Sequence, residues 1–68
     1  MQITKEFYPL ADKEKFQVIH SGKEYVCYIS PFMKSQVCTG NGFTKDCKDI
    51  TDTKLGMEIM LECGKLYK

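Results

Sequence analysis

The chain has 68 residues, ten Lys against nine acidic residues for a net charge of +1, 43% apolar and 28% charged residues, and neither Arg nor Trp. That is the composition of one folded domain rather than of a disordered segment, and no apolar run approaches the roughly 18 residues of a membrane span. A domain this small buries only about 60% of its unfolded surface, so carving out a ligand pocket of roughly 300–1,000 Å³ would remove much of its core, which argues against a self-contained enzyme.

Ile3 to Tyr8 mixes Ile, Thr, Phe and Tyr, which favour strands, and Pro9 ends the run because it cannot donate to a ladder. Residues 11–15, Ala-Asp-Lys-Glu-Lys, are polar and read as a turn or a single helical turn. The strongest signal follows. Phe16 to His20 and Lys23 to Ser30 flank Ser21-Gly22, the pattern of a tight hairpin. With Ser21 and Gly22 as the loop, His20 pairs with Lys23, Val18 with Tyr25 and Phe16 with Cys27. One face then carries Phe16, Val18, Tyr25, Cys27 and Ile29, and the other Ile19, Val26 and Tyr28. The second strand is apolar on both sides and belongs in the middle of a sheet.

Ser30-Pro31 breaks that strand. Met33 to Cys38 reads as a further short strand, and Thr39-Gly40-Asn41-Gly42 as a turn. Phe43, Cys47 and Ile50 are spaced i, i+4, i+7, which predicts a short helix within 44–54, capped by Thr44 and ended by Gly56. Met57, Ile59, Leu61 and Cys63 alternate with Glu58, Met60 and Glu62, which predicts a final strand, with Gly64 as a bulge and Leu66 and Tyr67 closing the sheet edge. The expected fold is therefore mainly β, an antiparallel sheet of four or five short strands with at most one short helix. It would curl toward a partly open SH3-like or OB-like barrel.

The candidate chemistries are sparse. Cys27, Cys38, Cys47 and Cys63 are separated by ten, eight and fifteen intervening residues. No two form the close pair typical of structural zinc sites, so core cysteines are expected, with Cys27 and Cys63 each on an apolar strand face, and no cofactor; the alternatives are disulfides, in any of three full pairings, and a zinc site that would use these four. Residues 1–7 lack the basic stretch and long apolar segment of a signal peptide, so a cytoplasmic setting with free thiols is expected. His20 sits at the hairpin turn and Cys27 near its opposite end, so the two are no catalytic dyad. Asp46, Asp49 and Asp52 are interleaved with Lys45, Lys48 and Lys54 and read as a solvated mixed-charge face.

Two binding readings survive. The first is a stand-alone non-enzymatic protein-binding domain that acts by stoichiometric contact, as an inhibitor or adaptor of a larger partner. A viral or phage protein blocking a host machine would fit that size and style. Its contact residues would be Tyr25 or Tyr28 with Phe32, Met33 and Lys34, because the 31–35 segment holds two large apolar residues with no evident core role. A monomer or a weak homodimer joined at a strand edge is expected, without a membrane. The alternative is a small nucleic-acid-binding barrel, possible with or without zinc, that stacks bases on Tyr28 beside Lys23, Lys34 and Lys45. The near-zero charge and the lack of Arg count against it.

Overall fold

Ser21 and Gly22 both have positive φ, 52° and 74°, the signature of a type I′ turn whose twist matches that of the strands it joins. This turn sets the register of the central hairpin. The computed structural model describes residues 1–6, 14–30, 35–40 and 48–67. Within them β1 spans Gln2–Glu6, β2 Glu14–His20, β3 Lys23–Ile29, β4 Gln36–Thr39, and α1 Lys54–Gly64. In the β2–β3 hairpin His20 pairs with Lys23, Val18 with Tyr25 and Phe16 with Cys27, as the turn position predicts. β2 begins two residues earlier than expected, so Glu14 and Lys15 belong to the strand rather than to a polar turn.

The strands form one antiparallel sheet in the order β1-β2-β3-β4. β1 and β4 are its edges and do not pair with each other among the described residues, so the sheet is open and the expected curl into a barrel is not realised. Four strands of four to seven residues are too few and too short to close around a core. One face is closed off by α1 instead.

The C-terminal third departs most from expectation. Residues 48–53 are not helical, and the run from Met57 to Cys63 is a helix, not a strand. Two local effects decide this. Asp49 bridges to Cys38, and Ile50 N–H donates to Val37 O at 2.8 Å, so residues 48–51 follow the outer edge of β4. The Thr51 hydroxyl accepts from Val37 N–H at 2.9 Å, and the Asp49 carboxylate accepts from Thr51 N–H at 2.9 Å, which fixes this segment as an edge-bound turn. Thr53 then caps α1, its hydroxyl oxygen accepting from Gly56 N–H at 3.0 Å. Met, Leu and Glu beyond it are strong helix formers, and Ile59 is the only β-branched residue in the element. The buried positions Gly56, Ile59 and Cys63 follow i, i+3, i+7, a helical stripe that coexists in the sequence with a strand-like alternation. Gly56 therefore lies inside the helix instead of ending it, and Gly64 is its last residue, not a bulge.

The core lies between α1 and one sheet face. Among the described residues it consists of Phe16, Val18, Tyr25, Cys27, Ile29, Val37, Ile50, Ile59 and Cys63, with Ile3, Leu55, Met60 and Tyr67 packed around it. The helix can approach this closely only because residue 56 is Gly. A Cβ there would lie 1.8 Å from Ile50 O, inside the repulsive wall of a backbone atom that the β4 edge holds in place.

Gly56→Ala should therefore destabilise the fold by about 3 kcal/mol, whereas Gly64→Ala, where a Cβ meets nothing within 4 Å, should be neutral or mildly stabilising. Urea denaturation followed by circular dichroism separates the two. Ser21→Asn, which supplies the residue type best suited to positive φ ahead of Gly22, should raise stability by roughly 0.5–1 kcal/mol in the same assay.

Candidate functional site

Packing α1 by its Gly56, Ile59 and Cys63 stripe leaves its opposite face outward. Met57 and Leu61, four residues apart and hence on one side of the helix, are 58% and 64% exposed. Leu66, just beyond the helix end, is 50% exposed. Lys54, Glu58 and Lys65 are exposed too, and Lys65 pairs with Glu62 at 3.3 Å, so charged side chains border the apolar pair. This arrangement has the makeup of a small docking face, with large flexible apolar side chains inside a polar rim. The sequence reading missed it because a strand over 57–63 would have turned Met57 and Leu61 toward the core together with Ile59 and Cys63.

The sheet face away from α1 is organised in rows across the strands. Glu6, Lys15, Tyr28 and Gln36 are aligned through all four strands, and Gln36 Nε2 donates to Asp49 Oδ2 at 3.3 Å beyond the edge. Lys15 is only 3% exposed, and its ammonium lies 3.6 Å from Glu6 Oε1, an oxygen that is itself buried and takes no hydrogen bond among the described residues. The adjacent row is Thr4, Gln17, Val26 and Cys38, with Val26 fully buried in its middle. A buried lysine matched to a carboxylate on the neighbouring strand holds β1 against β2 in one register, since a one-residue slip would leave the ammonium without it.

The structure separates the residues expected to make contacts. Tyr25 is 7% exposed and belongs to the core, which removes it from any contact surface. Its parity explains this: it shares a face with Val18 and Cys27 under α1. Tyr28 lies on the other face and is half-buried. Phe32, Met33 and Lys34 fall outside the described residues.

Cys27 and Cys63 come together in the core, one from β3 and one from α1. Cys38 is half-buried on the opposite sheet face, in register with Val26, and Cys47 lies outside the described residues. Among the described residues no cluster of three or more His, Cys, Asp or Glu side chains is placed to hold a metal ion. The Cys27 thiol donates to Met60 Sδ at 3.8 Å. Side-chain hydrogen bonding with Cys63, then burial, push its pKa far above the ordinary thiol range. Cys63 is shifted down by its interaction with Cys27, while burial opposes that shift. His20 pairs with Lys23 beside the turn, far along the hairpin from Cys27.

No family model matches the chain, and no similar protein or solved structure was found. No helix among the described residues is long and apolar enough to cross a membrane.

Burial protects Cys27, whereas Cys38 keeps partial access to solvent. In the reduced native protein iodoacetamide should alkylate Cys38 roughly tenfold or more faster than Cys27, because Cys27 reacts only through local opening. Denaturant should abolish the difference, as read by peptide mass spectrometry.

Proposed function

We propose that the chain is a small non-enzymatic protein-binding domain that acts by stoichiometric contact, as an inhibitor or adaptor of a larger protein partner, and that the outward face of α1 makes the contact. The supporting observation is the Met57–Leu61 pair. Exposed apolar residues scattered singly are ordinary on a protein surface. Here two large ones share one helical face, with Leu66 close behind in the chain. An apolar pair at i, i+4 is the pattern by which a helix enters a hydrophobic groove. The net charge of +1 supplies little long-range attraction, so recognition of this kind would rest on short-range apolar burial. The 32–34 segment stays a second contact candidate on the strength of its sequence.

The test compares two surface variants with the unmodified protein against a partner captured by the latter and then purified. Met57→Ser/Leu61→Ser should keep the native circular dichroism spectrum and weaken binding by roughly a hundredfold, since each truncated apolar anchor contributes about 1–2 kcal/mol. Phe32→Ala/Met33→Ala, made in parallel, reports on the other segment. Native affinity in both variants would remove the placement of the contact. Affinity for single-stranded DNA that falls steeply with salt would replace the protein-binding reading with the nucleic-acid one.

A further inference from the structure

Cys27 and Cys63 belong to elements far apart in sequence that are brought together in the core. Cys27 lies in the middle of β3 on the face under α1, and Cys63 lies on the buried stripe of α1. Met60, three residues before Cys63, accepts a contact from the Cys27 sulfur at 3.8 Å, so that sulfur is seated against the same turn of the helix that carries Cys63. Both side chains are fully buried members of one core cluster. Disulfide formation requires two cysteines whose side chains approach one another, and of the three cysteines in the described residues only Cys27 and Cys63 share the core cluster. Cys38 is on the far side of the sheet, separated from Cys63 by the backbone of β3 and β4.

We infer that Cys27 and Cys63 are a disulfide site, joined when the chain folds in the presence of a small-molecule disulfide such as glutathione disulfide, and that the bond staples α1 to the sheet. One of the two thiols, as its thiolate, attacks one sulfur of glutathione disulfide, forming a mixed disulfide and releasing one glutathione thiolate. The other, giving up its proton, attacks the protein sulfur of that mixed disulfide, forms the Cys27–Cys63 bond and releases the second glutathione. The two protein thiols lose two electrons in all, glutathione disulfide gains them, and both protons end on the two glutathione thiols. Closing this long loop restricts the unfolded chain and so favours the folded state. In reducing buffer both thiols return to the free form described above.

Digestion with trypsin tests the pairing directly, because each cysteine falls on its own peptide: 24–34, 35–45, 46–48 and 55–65. The full chain is reduced, unfolded, and refolded in a buffer of glutathione and glutathione disulfide, and free thiols are trapped with iodoacetamide before digestion. The expected product is peptide 24–34 linked to peptide 55–65, lighter by two hydrogens than the two thiol peptides together. The melting temperature should be higher than that of the reduced protein and return to it on adding dithiothreitol. Cys38→Ser/Cys47→Ser, which leaves both core thiols in place, should give the same linkage. Linkages through Cys38 or Cys47 in the unmodified chain, with Cys27 and Cys63 alkylated, would overturn the inference. So would a folded Cys38→Ser/Cys47→Ser protein carrying free or glutathionylated Cys27 and Cys63.

Discussion

The contact between Gly56 and the backbone of Ile50 is the constraint on which the rest of the structure depends. Ile50 N–H is held by Val37 O and its carbonyl accepts from Thr53, so the segment leaving β4 is tied at both ends. The first turn of α1 rests directly on that carbonyl, in a space that admits no side chain. With the helix seated there, Ile59 and Cys63 descend onto Cys27 and Val37, and the apolar side of the hairpin is covered. A helix displaced by the width of one methyl group would lose contact along the whole stripe, because interiors are packed too densely to absorb the gap.

The two faces of the sheet are satisfied by different physics. Beneath α1 the side chains are apolar and close-packed, and burial of that area supplies most of the stabilisation available to so small a domain. On the other face the row Glu6–Lys15–Tyr28–Gln36 is polar, and its buried ammonium is tolerated because a carboxylate lies on the neighbouring strand. The first face favours compactness and the second favours one alignment of the strands. β3 takes part in both, which accounts for its lack of a hydrophilic side in the sequence.

The same packing explains the surface. A helix uses one stripe to cover a sheet, and the residues a half-turn away are left outward whatever their chemistry. In α1 those residues include Met57 and Leu61, where a helix concerned only with solubility would carry Lys or Glu. The proposed protein contact therefore lies on the element whose position is set by Gly56 and whose inner side holds Cys63. Anchoring of the helix and presentation of its outer face are two consequences of one arrangement.

The central hairpin was legible in the sequence residue by residue. Ser21-Gly22 admits few turn geometries, and once the turn is known, the period of two assigns Phe16, Val18, Tyr25, Cys27 and Ile29 to one face. The mainly β character and the antiparallel pairing followed from the same local chemistry. The C-terminal region was not legible by alternation, because Ile59 and Cys63 fit a strand face and a helix stripe equally well. The propensities of Met, Leu and Glu, with Thr53 as a cap, were the local signal that distinguished the two. Tertiary structure alone decided the rest. Residues 48–51 found backbone partners on β4, which a local pattern cannot announce. Gly56 became necessary only when Ile50 lay beneath it, and Cys27 met Cys63 only when the helix crossed the sheet. Local sequence determines which geometries a segment can adopt; contacts between distant segments choose among them, since only those contacts bury enough surface to outweigh a near-equal local preference.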